Sequence, residues 1–175
     1  MLKYGKPTYI DKTFAPNLES AKEIFSLAKE YGAPFFSTSA LRYADELSEL
    51  EGGDNFIITG GGSNFPEYSV HLIEIAVKLL SDKVKSTDVY CQGNQKICRL
   101  VTENGKKATL IYSPQLPYSV ACDKADGSLA NVSIASPFFS NLMKDMVRFF
   151  DLGNPSFDTN ETLEVIRVRD ELLKA

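Results

Sequence analysis

The 175 residues carry 19 lysines and arginines against 23 aspartates and glutamates, a formal charge of −4 with the single histidine neutral, and 43% of them are hydrophobic. Such a length holds one full core, or one domain and a fragment of a second, but not two complete domains. The chain is too apolar for disorder and too evenly charged for an acidic tail. An acidic balance without any basic run gives no footprint for a polyanion, so no nucleic acid is expected as a partner. No apolar stretch approaches the roughly 20 residues of a membrane helix, and no signal-peptide core follows Met1–Lys6. A soluble cytoplasmic protein with no membrane partner is expected. Cys91, Cys98 and Cys122 fit neither a zinc knuckle nor a disulfide framework and read as reduced, packing thiols. One histidine cannot complete a multi-histidine site, so no metal is expected.

In chain order, Pro7–Ile10 is short and β-prone. A helix then follows Pro16 and Asn17, with apolar residues at 18, 21, 24, 25, 28 and 31 and a stop at Gly32. Pro34–Ser37 is the next strand, completing a βαβ unit of the kind found in doubly wound sheets. A short helix is expected over 40–50 and a strand over Asn55–Thr59. The run Gly60-Gly61-Gly62-Ser63-Asn64 leads into a long helix from about Glu67 to Ser81. Five β-prone runs follow, 84–92, 95–102, 108–113, 118–122 and 128–134, with hairpin signals at Asn104-Gly105 and Asp126-Gly127. They predict one antiparallel meander. Two amphipathic helices close the chain, 138–150 and 161–173, the second with Asp158 or Thr159 as cap. The fold class is therefore α+β: a mostly antiparallel open sheet with helices on one face, preceded by a βαβ remnant of a Rossmann domain.

Three features bear on chemistry. Asp11-Lys12 lies where the first strand ends, the end at which open α/β sheets bind ligands, and an ammonium there can polarise a substrate hydroxyl. The plain alternative is a solvated loop lysine. His71 shares one helix face with Glu67, Glu74 and Lys78. A carboxylate one turn away can fix an imidazole's tautomer, as general-base histidines require, and the competing reading is a surface helix laced with intrahelical pairs. The triple glycine could cradle a phosphate on its backbone amides, but it matches no dinucleotide fingerprint, and a flexible connection explains it as well.

The stretch from Gly5 through Asp11-Lys12-Thr13 to Ala15, followed by Ala21…Ala28-x-x-Tyr31-Gly32, resembles the Gfo/Idh/MocA family of NAD(P)-dependent oxidoreductases. The family's acidic-Lys-Pro motif falls on Asp11-Lys12-Thr13, and its helix motif, an aspartate four residues before a histidine, falls on Glu67 and His71. Glu74 takes the place of a frequent acid three residues on. Leu41-Arg42-Tyr43, the β-strands and Pro155-Ser156-Phe157-Asp158 continue the match, so the likeness spans the chain but only the second half of a family member. Thr13 stands where the family has proline, and Glu67 where it has aspartate.

The resemblance implies that residues 1–39 are the tail of a nucleotide-binding Rossmann domain and 40–175 a C-terminal α/β substrate-binding and oligomerisation domain. It implies a dehydrogenase acting on a sugar, inositol or related polyol with NAD or NADP. Lys12 would be the polariser, His71 the acid/base and Glu67 its orienter, with Asp11 and Lys12 toward the cofactor. The glycine fingerprint is absent, so the isolated chain is expected to bind NAD(H) very weakly or not at all and to be inactive. The alternative is a non-catalytic module that pairs with another copy through its open sheet face, for which Val89, Tyr90, Ile97, Ile111 and Tyr112 are available.

Overall fold

Thr8–Tyr9 (β1) and Phe35–Phe36 (β2) pair in parallel, and Leu18–Glu30 (α1) crosses between them. The crossover begins where Asn17 accepts a hydrogen bond from Ser20 N at 2.9 Å, and it ends at Gly32, whose φ of 59° suits a residue without Cβ. The structure, a computed structural model, describes residues 1–124 and 126–175.

Residues 40–50, expected as one helix, instead form two 3-10 turns, Ala40–Tyr43 and Asp45–Leu50, parted by an extended Ala44. Tertiary bonds decide this. Glu46 accepts from the backbone of Ala135 and Ser136 and from the Ser136 hydroxyl, while the Asn141 amide donates to Tyr43 O and Asp45 Oδ1. Both turns are thereby pinned to the segment around 135–141.

The main sheet comprises Gly53–Gly60 (β3), Val84–Gln92 (β4), Gln95–Thr102 (β5), Lys107–Tyr112 (β6), Ser119–Lys124 (β7) and Leu129–Ser133 (β8), in the order β4-β5-β6-β3-β7-β8. The predicted meander is thus split, because β3 inserts at its centre, parallel to β6 and antiparallel to β7. The hairpins that have a glycine turn, β4–β5, β5–β6 and β7–β8, do form. The β6–β7 link has no such turn and contains Pro114 and Pro117, and it is there that the sheet opens to admit β3.

Three helices follow: Phe65–Leu80 (α2), Phe138–Leu152 (α3) and Asn160–Lys174 (α4). Asn64 caps α2 by accepting from Glu67 N at 2.9 Å. At the head of α4 it is Asp158 that bonds, accepting from Asn160 N at 2.9 Å, whereas the Thr159 side chain makes no cap bond. Leu72, Ile73, Ala76 and Leu80 of α2 pack on Ile58, Leu100 and Val120 of the sheet, with Val165, Val168 and Leu172 of α4 in the same cluster. Each such aliphatic side chain contributes about 1.5–3 kcal/mol by leaving water. A second joint holds β2 to α3, where Phe36 meets Phe149 at 4.8 Å between ring centroids. Among the described residues, no helix is long and apolar enough to cross a membrane.

Among the described residues, no helix covers the opposite face of the sheet. Register places Tyr90, Ile97, Ile111 and Thr59 in one row across it, and Asp88, Arg99, Thr109 and Ile57 in the next. Val89 and Tyr112, expected on this face, point the other way and pack in the core, since a shift of one residue reverses a strand side chain.

Candidate functional site

Ile10 N donates to Phe36 O at 3.1 Å, so β1 stays paired up to the point where Asp11 and Lys12 leave it. The ammonium of Lys12 is 3.3 Å from Glu67 Oε1 and lies over the Tyr68 ring, 5.1 Å from its centroid. With 21% of its side chain exposed, Lys12 is not a solvated loop lysine. The Lys12–Thr13 peptide is cis.

His71 sits one turn into α2 from Glu67, half-buried between the rings of Tyr68 and Tyr118, with centroids 5.6 and 5.8 Å away. Burial, and then the ammonium of Lys12, push its imidazole down to about 4, with Asp11 and Glu67 pulling weakly the other way. The ring is therefore neutral at pH 7. Its Nδ1 lies 2.7 Å from Ser39 Oγ, just past the end of β2. Glu67 bonds Lys12 and the Asn64 amide rather than His71, and those two contacts hold its carboxyl below the usual range.

The rest of the polar line on α2 is not a solvated face. Glu74 is buried and accepts from Thr38 Oγ1 at 2.8 Å, Arg42 Nη1 at 2.9 Å and Ser39 N at 3.4 Å, while Lys78 Nζ donates to Arg42 O at 2.7 Å. Burial pushes the Glu74 carboxyl up against the pull of Arg42. Arg42 also bonds Glu161 and stacks on Phe157, its guanidinium carbon 4.0 Å from the ring centroid. The bonds of this seam run to other segments, so α2 presents a buried polar spine beneath His71.

Asp11, Lys12, Tyr68, His71 and Tyr118 line a cavity of about 320 Å³ together with Ala40, Leu41, Phe138, Phe139 and Leu142. The size and the mixed lining suit a small organic ligand. An ammonium and a neutral imidazole on the same hollow can grip one substrate oxygen between them, with an apolar wall for the carbon skeleton. The structure thus brings Asp11, Lys12, Glu67 and His71 to one place.

The triple glycine serves the same wall in a different way from a phosphate cradle. A Cβ at Gly60 would stand 2.4 Å from the Tyr118 ring, one at Gly62 2.0 Å from the Tyr68 ring, and one at Gly61 2.3 Å from Ser113 O. Tyr118 and Tyr112 donate their hydroxyls to Gly61 O and Gly62 O. The loop is filled by protein, and its backbone leaves no seat for a pyrophosphate. Sequence reasoning missed Ser39, Tyr68 and Tyr118; of these only Ser39 carried a signal, as it follows β2 at the same sheet end that singled out Lys12.

No family model matches the sequence, and no curated protein does. Solved structures match its fold. A dehydrogenase from Chromobacterium violaceum superposes with a TM-score of 0.82 at 10% identity, over 99% of this chain and 70% of that one. A myo-inositol dehydrogenase from Corynebacterium glutamicum gives 0.75 at 8% identity, over 95% and 69%. The WlbA dehydrogenase from Bordetella pertussis, in complex with NADH and UDP-GlcNAcA, gives 0.73 at 15% identity, over 97% and 69%. The chain has the α+β fold of Gfo/Idh/MocA-type dehydrogenases.

Proposed function

We propose that this chain is the C-terminal part of a Gfo/Idh/MocA oxidoreductase, residues 40–175 forming the substrate domain and residues 1–39 the tail of a Rossmann domain, and that it acts on a sugar, inositol or related polyol. The observation that carries this reading is the convergence of Lys12 and His71, from distant stretches of chain, on one cavity. Glu67 holds the Lys12 ammonium in place, and the two tyrosine rings hold His71. The names of the structural neighbours, a myo-inositol dehydrogenase and a dehydrogenase in complex with NADH and UDP-GlcNAcA, support the substrate class.

A nicotinamide dinucleotide, NAD or NADP, supplies hydride transfer in such enzymes. The filled glycine loop gives its pyrophosphate no seat, so in this reading the chain alone is inactive, and Asp11 and Lys12 are assigned to the nicotinamide end. What the chain does itself is bind the substrate oxygen at Lys12 and His71 and pack the carbon skeleton on Leu41, Phe138 and Leu142. Joined to a Rossmann half, the protein should turn over a polyol, and Lys12→Ala and His71→Ala should each lower kcat/KM by about a hundredfold or more. Undiminished turnover in both variants refutes the assignment.

The uncovered sheet face supports a second proposal, a homo-oligomer. Ile57 is 51% exposed and Tyr90 61%, beside Asp88 and Arg99, and a two-fold axis can set that mixture of apolar and charged groups against itself. Ile57→Lys should halve the mass seen by sedimentation; a monomeric parent chain removes the proposal.

A further inference from the structure

The Ser39 hydroxyl meets one ring nitrogen of His71, Nδ1, at 2.7 Å. Ser39 is fully buried. Its Oγ has two neighbours within hydrogen-bond distance among the described residues, Leu41 N at 3.2 Å and His71 Nδ1 at 2.7 Å. The Leu41 amide can only donate, so it occupies a lone pair of Oγ. A hydroxyl has one proton to give, and Nδ1 is the acceptor at hand. Were Nδ1 protonated instead, Oγ would accept twice and its own proton would be left without a partner among the described residues at a fully buried position.

We infer that Ser39 is a positioning residue that donates to Nδ1 and locks the resting His71 as the neutral Nε2–H tautomer, so that the resting imidazole offers the substrate oxygen a hydrogen bond. With Nδ1 turned inward to Ser39, Nε2 is the ring nitrogen left for the cavity. The hydroxyl is itself anchored, because Ser39 N and Thr38 Oγ1 both donate to Glu74, which Arg42 clamps. The groups that face the ring are Lys12, Asp11 and Glu67 from the loop and helix, with Tyr68 and Tyr118 on either side. The inference rests on the proposed function only for the identity of the oxygen; the tautomer stands or falls without it.

Because His71 is the chain's one histidine, ¹⁵N-histidine labelling gives a single imidazole, and a two-bond ¹⁵N–¹H correlation reads its tautomer directly. At pH 7.5 the unmodified chain should show a protonated Nε2 and an unprotonated Nδ1. Ser39→Ala should move both nitrogens toward the exchange average and raise the ring's protonation constant about tenfold, the worth of one hydrogen bond, whereas Ser39→Thr, which keeps the hydroxyl, should keep the parent pattern. A parent spectrum with the proton on Nδ1 overturns the inference, as does Ser39→Ala with an unchanged tautomer and midpoint. Should Ser39→Ala not fold, the parent spectrum decides alone. A loss of dehydrogenase activity would leave these spectra untouched, so the two readings fail separately.

Discussion

Replacing Arg42 with alanine should destabilise the chain by about 3–5 kcal/mol, because it strands a buried carboxylate. The Arg42 and Glu74 side chains are only 6% and 3% exposed, and the guanidinium is shared between Glu74, Glu161 and the face of Phe157. Ion pairing at such a site does little more than offset the cost of taking both charges out of water, whereas removing one partner exposes that cost in full. The double variant Arg42→Met/Glu74→Met should therefore recover most of the loss, which separates a stranded charge from lost packing. Urea unfolding of the parent, the single and the double variants measures this. A single variant within about 1 kcal/mol of the parent would show that Glu74 is not held by Arg42.

The second large effect follows from the burial of His71. Its folded-state pKa of about 4 lies below the ordinary 6.5, so the unfolded chain takes up the proton first as the pH falls. The stabilisation is complete above about pH 6.5, is lost on descending to about pH 4, and changes no further below that, and its full size is about 3 kcal/mol. Glu74 works in the opposite sense, since burial raises its pKa above that of the unfolded chain. The quantity to measure is accordingly the difference between the parent and His71→Gln at pH 6.5, 5.5 and 4.5. That difference should shrink steadily toward acid; parallel stability curves would mean that the ring is as free to ionise in the fold as in the unfolded chain.

How legible all this was depends on how local each signal is. Asn17, Gly32 and Asn64 announce their helix ends because capping uses residues within a turn, and Asn104-Gly105 and Asp126-Gly127 fix their hairpins for the same reason. The place of β3 was not legible, since its pairing with β6 and β7 is settled between strands far apart in sequence. Lys12 and His71 were visible as a strand-end lysine and a helix-face histidine, but their partners were not. The spacing of α2 put Glu67 beside His71, whereas the fold gives Glu67 to Lys12 and brings Ser39 to the imidazole from 32 residues away. Glu74 and Lys78 looked like a surface row because helical spacing says which residues share a face and not what that face meets. Arg42, supplied by a 3-10 turn, turns the row inward.

The hollow is walled by the loop after β1, the turn after β2, α2, the approach to β7 and the start of α3, so it exists only when almost the entire polypeptide is assembled. Any compound that settles there acts as a cross-brace between early and late segments, and at a hundred times its dissociation constant it adds about 2.7 kcal/mol to the unfolding free energy. Melting-temperature shifts across a panel of cyclitols, hexoses and sugar nucleotides would consequently rank candidate substrates before any catalytic assay exists.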